Sequence, residues 1–357
     1  MTEGQAPRKG FLRQLAAGAS GALATLFFIV LLATGWALWT YNGAGPANKT
    51  GQPSVVVVRQ GAGVREIAAQ LAKSGVVRSS AIFSAAAQLT GAARTLKAGE
   101  YEFPSKASMA SVLGKIRRGE VVHHMVTIPE GMTSEMAIEA LMAQPLLVGS
   151  APVPPEGSIL PETYEYQRGE DRSAVLARMM AARDTLLGNL WAQRAEDLPI
   201  KTAEEAVILA SIVEKETALA SERPRIARVF VNRLLKGMKL ESDPTIIYDV
   251  SHGRPLGRGI RESELKSPSP HNTYFIPGLP PTAICNPGRA SLAAVMAPPP
   301  GEEIFFVADG TGGHAFASTL EEHNRNVARW RQLESPDAKK PEQPAEKSAE
   351  ISKGKAR

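Results

Sequence analysis

Between Gln14 and Asn48 the chain carries no charged residue, and Leu15 to Trp39 is apolar or small throughout. Such a run exceeds the roughly 20 apolar residues that cross a bilayer as one helix. Residues 15–41 are therefore expected to span a membrane, with 42–53 as a polar, Gly/Pro-rich linker (NGAGPANKTGQP) beyond it. Trp36, Trp39 and Tyr41 sit at the far end, where amphipathic rings favour the membrane–water interface. Arg8, Lys9 and Arg13 precede the run against only Glu3, so residues 1–14 are expected in the cytoplasm and the rest outside. A cleaved signal peptide has an apolar core of only about 7–15 residues, which favours a retained anchor.

The 357 residues are 43% hydrophobic, enough for one large domain or two modest ones after the anchor. The formal net charge of +5 suits a membrane surface or an acidic polymer. No basic run interleaved with aromatics occurs, nor any zinc-finger or P-loop spacing, so nucleic acid is not an expected partner. Cys285 is the one cysteine, so no intrachain disulfide can form, and a small buried side chain is expected there.

Alternating and helical periodicities predict an α+β order. Val55–Val58 reads as a strand, Val64–Leu71 and Ala81–Leu89 as helices, and Gly99–Phe103 as a returning strand. This β-α-α-β unit within 54–150 resembles a small LysM-like carbohydrate-binding module, although a generic packing unit has the same pattern. Helix Met109–Ile116, strand Val121–Ile128 and helix Ser134–Met142 follow, and the Pro-rich stretch Val148–Gly157 marks a boundary. A second domain, 151–333, contains the longer helices Ser173–Leu190 and Ala203–Ala220. From 334 to 357 the chain is Pro-, Lys- and Glu-rich and is expected to be a disordered charged tail.

The helix Ala203–Ala220 (AEEAVILASIVEKETALA) holds the most informative carboxylates. Thr202 with Glu205 three residues on has capping-box spacing. At about 100° per residue, Glu216 falls among Leu209, Ile212, Val213, Leu219 and Ala220. Glu214 falls on the opposite face with Ser211 and Lys215, where water is expected. A carboxyl on an apolar stripe has a raised pKa, as a general acid near neutral pH requires; a buried structural glutamate would read the same way.

The run ILASIVEKETALASE at 208–222 resembles the signature helix of the MltG/YceG-like endolytic murein transglycosylases. The likeness continues through VFVNRLLKGMKLESDPTIIY at 229–248, HNTY at 271–274, GLPPTAICNPG at 278–288 and FVADGTGGHAFASTLEEHN at 306–324. KAGEYEF at 97–103 and LPETYEY at 160–166 also match, so the resemblance covers about 54–330. It implies that Glu216, the glutamate before Thr217, is the catalytic residue of a lytic transglycosylase domain with lysozyme-like geometry. The implied substrate is the MurNAc–GlcNAc strand of peptidoglycan, cut with a 1,6-anhydro end during wall synthesis. Peptidoglycan synthases and other elongation or division proteins are the implied partners at the inner membrane.

Around the acid, candidates to hydrogen-bond sugar are Thr217, Ser242, Asp243, Thr245, Tyr248, Asn272, Thr273 and Tyr274, drawn from loop-like stretches. Asp309, His314 and His323 lack the close, helix-fixed spacing of a zinc site, and neither metal nor cofactor is expected. The resemblance implies that FVADGTGGHAF, at 306–316, forms strand, turn and strand beside the cleft, with its residues in a structural role. Arg223, Arg225, Arg228 and Arg233 read as a solvated helix face, or as a contact for acidic stem peptides. A hydrolytic muramidase and a peptidoglycan-binding scaffold for synthesis enzymes remain alternatives.

Overall fold

The structure, a computed structural model, describes residues 9–334. The N-terminal eight residues, Arg8 among them, and the expected tail beyond Glu334 lie outside the described residues. Two compact units are present. One holds the residues up to His124 together with Glu165–Gly169, and the other holds Met125–Tyr164 and the chain from Glu170 onward.

The first unit begins with α1, Lys9–Asn42, whose stretch Leu23–Asn42 is long and apolar enough to cross a membrane. Strands β1 (Ser54–Val58) and β2 (Gly99–Phe103) pair antiparallel, with Val56 opposite Tyr101. Alternation along β1 turns Val56 and Val58 inward while Val55 faces solvent. Between the strands lie α2 (Val64–Lys73) and α3 (Ser80–Leu89), as the β-α-α-β pattern predicts. Ser79 caps α3 and Ser108 caps the following α4, Met109–Arg118. Met109, Val112, Leu113 and Ile116 recur on one face of α4 and bury themselves against Phe83, Leu71 and Phe103. Tyr101 is fully buried at the centre, and its hydroxyl donates to the Lys97 carbonyl at 2.8 Å.

The stretch expected as a linker is bound along its length to this unit. Gly45 N–H donates to the Lys106 carbonyl and Lys106 N–H to the Pro46 carbonyl, both at 3.1 Å. Asn48 N–H reaches Ser105 Oγ at 3.0 Å, and the Arg78 guanidinium holds the Ala44 carbonyl at 3.1 Å. Thr40 is buried and Tyr41 packs on the core at the end of α1. The polar composition reflects a strap that satisfies its backbone groups through the module.

A strand pair, β3 (His124–Thr127) with β4 (Thr163–Tyr166), precedes the larger helical part. In the second unit, α5 (Ser134–Met142) matches its predicted span, and α6 runs Arg172–Ala192 behind an Asp171 cap. The core forms where α7 (Ala203–Glu216), α8 (Arg223–Leu235) and α11 (Arg289–Met296) pack together, with Leu209, Ile212, Val213, Phe230 and Val295 sealed from solvent. The short helices α9 (Asp243–Ser251) and α10 (Glu262–Leu265) lie between. The predicted strand–turn–strand is an antiparallel hairpin, β5 (Phe305–Ala308) and β6 (His314–Ala317), followed by α12 (Leu320–Glu334).

Two expectations need correction. Helix α7 stops at Glu216, because Thr217 is extended and its hydroxyl takes the Leu219 N–H. Leu219 and Ala220 are therefore exposed beyond the helix and do not continue its apolar face. The stretch from Ser242, expected as a loop, forms α9, since Asp243 and Pro244 are favourable first-turn residues.

The strap has a direct test. A Cβ at Gly45 would lie 2.1 Å from the Ala107 carbonyl oxygen, with backbone on both sides. Gly45→Ala is expected to lose about 2 kcal/mol, the usual scale of overpacking. Thermal unfolding should show a lowered midpoint.

Candidate active site

Helix α7 is started by Thr202, whose Oγ1 accepts the Glu205 N–H, while Glu205 in turn accepts from Lys201. Leu209, Ile212 and Val213 are buried along one stripe, and Glu216 follows on that stripe in the last turn. Because the helix ends there, Glu216 lies half-buried at the edge of the core.

Ser242 Oγ donates to Glu216 Oε1 at 2.5 Å. Ser242 is itself held by buried hydroxyls: its N–H donates to Thr273 Oγ1 at 2.9 Å, and its carbonyl accepts from Thr245 Oγ1 at 2.7 Å. Arg233 braces the approach to this corner by binding the Leu240 and Ile304 carbonyls and the Glu241 carboxylate. Glu241 adopts a positive φ of 51°, a conformation other residues than glycine rarely take. Next to Ser242, Asp243 Oδ1 accepts from the Tyr274 hydroxyl at 2.7 Å.

Burial pushes the Glu216 carboxyl up to about 7 from an ordinary 4.5. The Ser242 hydrogen bond pulls it back down, Asp243 pushes it up, and His314 and Arg233 pull it down. The result is a carboxyl that keeps a substantial protonated fraction at neutral pH beside hydroxyl groups, which suits a general acid. Burial also pushes the Tyr274 phenol up, with its bond to Asp243 adding to the shift.

The expected sugar-binding residues divide by location. Ser242, Asp243 and Tyr274 are drawn together beside Glu216, and Thr217 is its neighbour in the chain. Thr245 and Thr273 are wholly buried and hydrogen-bonded to each other at 3.0 Å, so they support Ser242 from behind. Asn272 is also buried, with its amide donating to the Glu264, Leu265 and Ser267 carbonyls and its Oδ1 accepting from Tyr274 N–H. Tyr248 is turned elsewhere, with its ring 5.0 Å from that of His271, and burial pushes its phenol up to about 12.

Glu214 does not face water. It is buried, with Oε1 accepting from Arg223 Nη2 at 2.8 Å and Oε2 from Gly288 N–H at 2.9 Å. The helical wheel separated it correctly from Glu216, but the start of α8 and the turn before α11 cover that opposite face. Of the four arginines, Arg225 is exposed, while the other three are turned largely inward. Arg223 and Arg233 are buried, Arg228 binds the Pro298 and Pro299 carbonyls, and Arg225 pairs with Glu303 at 2.9 Å.

Three further groups act on or near the acid that local spacing does not single out: Glu222, Arg233 and His314. Glu222 and His314 pair at 2.7 Å although they lie far apart in sequence. For His314 the available signal in the sequence is the place of its segment in the FVADGTGGHAF motif. Asp309 caps the N–H groups of Thr311 and Gly313, and His323 stacks on Phe305 with ring centroids 4.9 Å apart. Among the described residues no three His, Cys, Asp or Glu side chains gather as metal ligands do. Cys285 is buried, and burial pushes its thiol up.

Fold and site together define an α+β protein with an apolar N-terminal helix and a protonatable carboxyl at the end of a core helix. The chain belongs to the YceG-like family, whose model matches residues 56–329. It is 29% identical to an endolytic murein transglycosylase of Streptococcus pneumoniae, over 85% of this chain and 64% of that protein. It is 30% identical to the endolytic murein transglycosylase of Bacillus subtilis over 48% of this chain and 47% of that protein. The chain thus spans less than two thirds of the length of these relatives. A solved chain, a YceG-like protein from Listeria monocytogenes, covers 77% of this chain and 98% of its own at 25% identity, with a TM-score of 0.49.

Urea unfolding separates the two glutamates. Glu216 binds its proton more tightly folded than unfolded, so its contribution to stability is full below about pH 4.5 and is lost as pH rises through about 7. Glu216→Gln should therefore gain on the parent between pH 5 and pH 8, by on the order of 2 kcal/mol. Glu214→Gln should lose roughly 3 kcal/mol near neutral pH by leaving Arg223 with only the more exposed Glu130, at 3.0 Å, as a carboxylate partner. Unfolding curves across this pH range check both.

Proposed function

We propose that this chain is a membrane-anchored endolytic lytic transglycosylase acting on the MurNAc–GlcNAc strands of peptidoglycan. The observation that carries this reading is the Glu216 carboxyl, lifted to about 7 and bonded to Ser242, in a chain of the YceG-like family. The names of the pneumococcal and Bacillus relatives support the reaction class.

In this reading Glu216 protonates the glycosidic oxygen that leaves MurNAc. The 6-hydroxyl of the same MurNAc attacks the anomeric carbon, and the Glu216 carboxylate stands ready to receive the hydroxyl proton. The product ends in 1,6-anhydro-MurNAc. An intramolecular hydroxyl has a high effective concentration, which lowers the need for an activated water. Ser242 aims the acid, while Asp243, Tyr274 and Thr217 offer polar contacts to the sugar. Thr245, Thr273 and Asn272 serve as support, and Tyr248 is a peripheral candidate for contact. No cofactor takes part.

The β-α-α-β unit is proposed as a LysM-like glycan-binding module, and the catalytic part as lysozyme-like in geometry. Helix α1 is proposed to cross the inner membrane with the N-terminus cytoplasmic. Both folded units then stand outside, where nascent strands, synthases and other elongation or division proteins are the natural partners. A hydrolytic muramidase is the second reading. It is favoured by Asp243, a second carboxylate within electrostatic reach of Glu216.

The test is digestion of purified sacculi with the full chain in detergent, followed by mass spectrometry of the ends. Internal cuts ending in anhydro-MurNAc, lighter by one water than hydrolytic ends, are expected. Glu216→Gln should reduce cutting by about 10²–10⁴-fold, the usual worth of acid–base assistance. Reducing MurNAc as the main end would instead establish the muramidase.

A further inference from the structure

Beside the acid lies a second titratable pair that the preceding reading leaves idle. Glu222 immediately precedes α8, and its carboxylate grips His314 at two points. Oε2 lies 2.7 Å from His314 Nδ1, and Oε1 accepts the His314 backbone N–H at 2.9 Å. Thr217, the residue after Glu216, directs its Oγ1 to the same Oε2 at 3.4 Å. The His314 and Glu222 side chains are only 16% and 17% exposed. Phe306 stands edge-on to the imidazole at 5.3 Å and 87°, and Phe230 braces Phe306 in turn.

A carboxylate accepts hydrogen bonds and cannot donate them. The hydrogen of neutral His314 therefore resides on Nδ1, and Nε2 carries the lone pair. No described residue hydrogen-bonds Nε2. This is the arrangement by which a carboxylate orients an imidazole as a base. The bonded path from Glu216 through Thr217 and Glu222 brings His314 back beside the acid, and its charge acts on the Glu216 carboxyl.

We infer that His314, clamped by Glu222, is the catalytic base of the site, with its Nε2 taking the proton from the attacking 6-hydroxyl. The inference rests on the transglycosylase reading and reassigns its second proton transfer. The bond from the anomeric carbon to the leaving oxygen breaks, and that oxygen receives the Glu216 proton. The bond from the anomeric carbon to O6 forms, and the O6 proton passes to Nε2. Glu216 is then a carboxylate and His314 an imidazolium, opposite charges that favour each other in a partly buried site. Transfer of that proton to Glu216 through solvent restores both groups with no net gain or loss. The charges that act on the Glu216 carboxyl are those of Asp243 at the start of α9, His314 on β6 and Arg233 on α8. His314 faces Glu222 and, from the hairpin turn, Asp309.

His314→Asn separates this role from a structural one. The asparagine amide can stand near the Nδ1 position and still donate to Glu222, but it has no counterpart of Nε2. With the full chain in detergent and isolated glycan strands, kcat should fall about 10²-fold, the usual worth of a general base. KM should stay within about threefold, since uniform binding is untouched. Glu216→Gln is run in the same assay. Activity retained by Glu216→Gln overturns the reading on which the inference rests; activity retained only by His314→Asn overturns the inference alone. Should His314→Asn fail to fold, ¹⁵N NMR of the histidine side chains decides. The Nδ1–H form of neutral His314, with a bare Nε2, is expected. The other tautomer overturns the assignment.

Discussion

The ion pair between Glu214 and Arg223 fixes the geometry on which the candidate site depends. Glu214 belongs to the last turn of α7 and Arg223 to the first turn of α8, and the same carboxylate binds the Gly288 N–H at the start of α11. Three helix ends thus share one buried charge pair. Such a pair is sensitive because Glu214 without Arg223 would be an uncompensated charge in the interior, and Arg223 without Glu214 would keep only the more exposed Glu130, at 3.0 Å. Its neighbours in the chain inherit the alignment: Glu216 lies two residues after Glu214, and Glu222 lies immediately before Arg223.

On the other side of Glu216 the constraint is a set of hydroxyls in place of charges. Thr245 and Thr273 are both buried, satisfy one another and hold the backbone of Ser242, which then meets the acid. A hydroxyl stabilises a carboxylate less than an arginine would, so burial still dominates and the carboxyl stays near neutrality. Arg233 is close enough to moderate the acid, yet its guanidinium is occupied by the Leu240 and Ile304 carbonyls. Support and chemistry are separated by depth: the deeper hydroxyls hold, and the outer groups remain available.

The first unit meets a different demand, that of joining a long apolar helix to a small folded module. Tyr41 packs on the core of that module, Thr40 is buried, and the segment after them exchanges backbone hydrogen bonds with Lys106 and Ser105. The helix consequently enters the module through a fixed junction. Glycine at position 45 is required by close approach to the Ala107 carbonyl, a packing need that composition alone presents as looseness.

Local pattern in the sequence determined the apolar helix, the β-α-α-β order, the Thr202 cap and the place of Glu216 on an apolar stripe. Each depends on spacing within one element, which the chain carries without reference to its neighbours. The length of α7 was less legible, because Thr217 ends it through its own backbone conformation while the apolar residues continue. What lay opposite each face was not legible at all. Glu214 is solvent-facing on a helical wheel, but α8 and the turn at Gly288 cover it, and Arg223, Arg228 and Arg233 are met by carbonyls and carboxylates of other segments. Asn272, Thr245 and Thr273 have the chemistry of sugar ligands, but only the tertiary structure decided that their hydrogen bonds are made inside the protein. The pairing of Glu222 with His314 belongs to the same class. A sequence fixes which groups can donate or accept, whereas burial and partnership arise when segments far apart in the chain exclude water from between them.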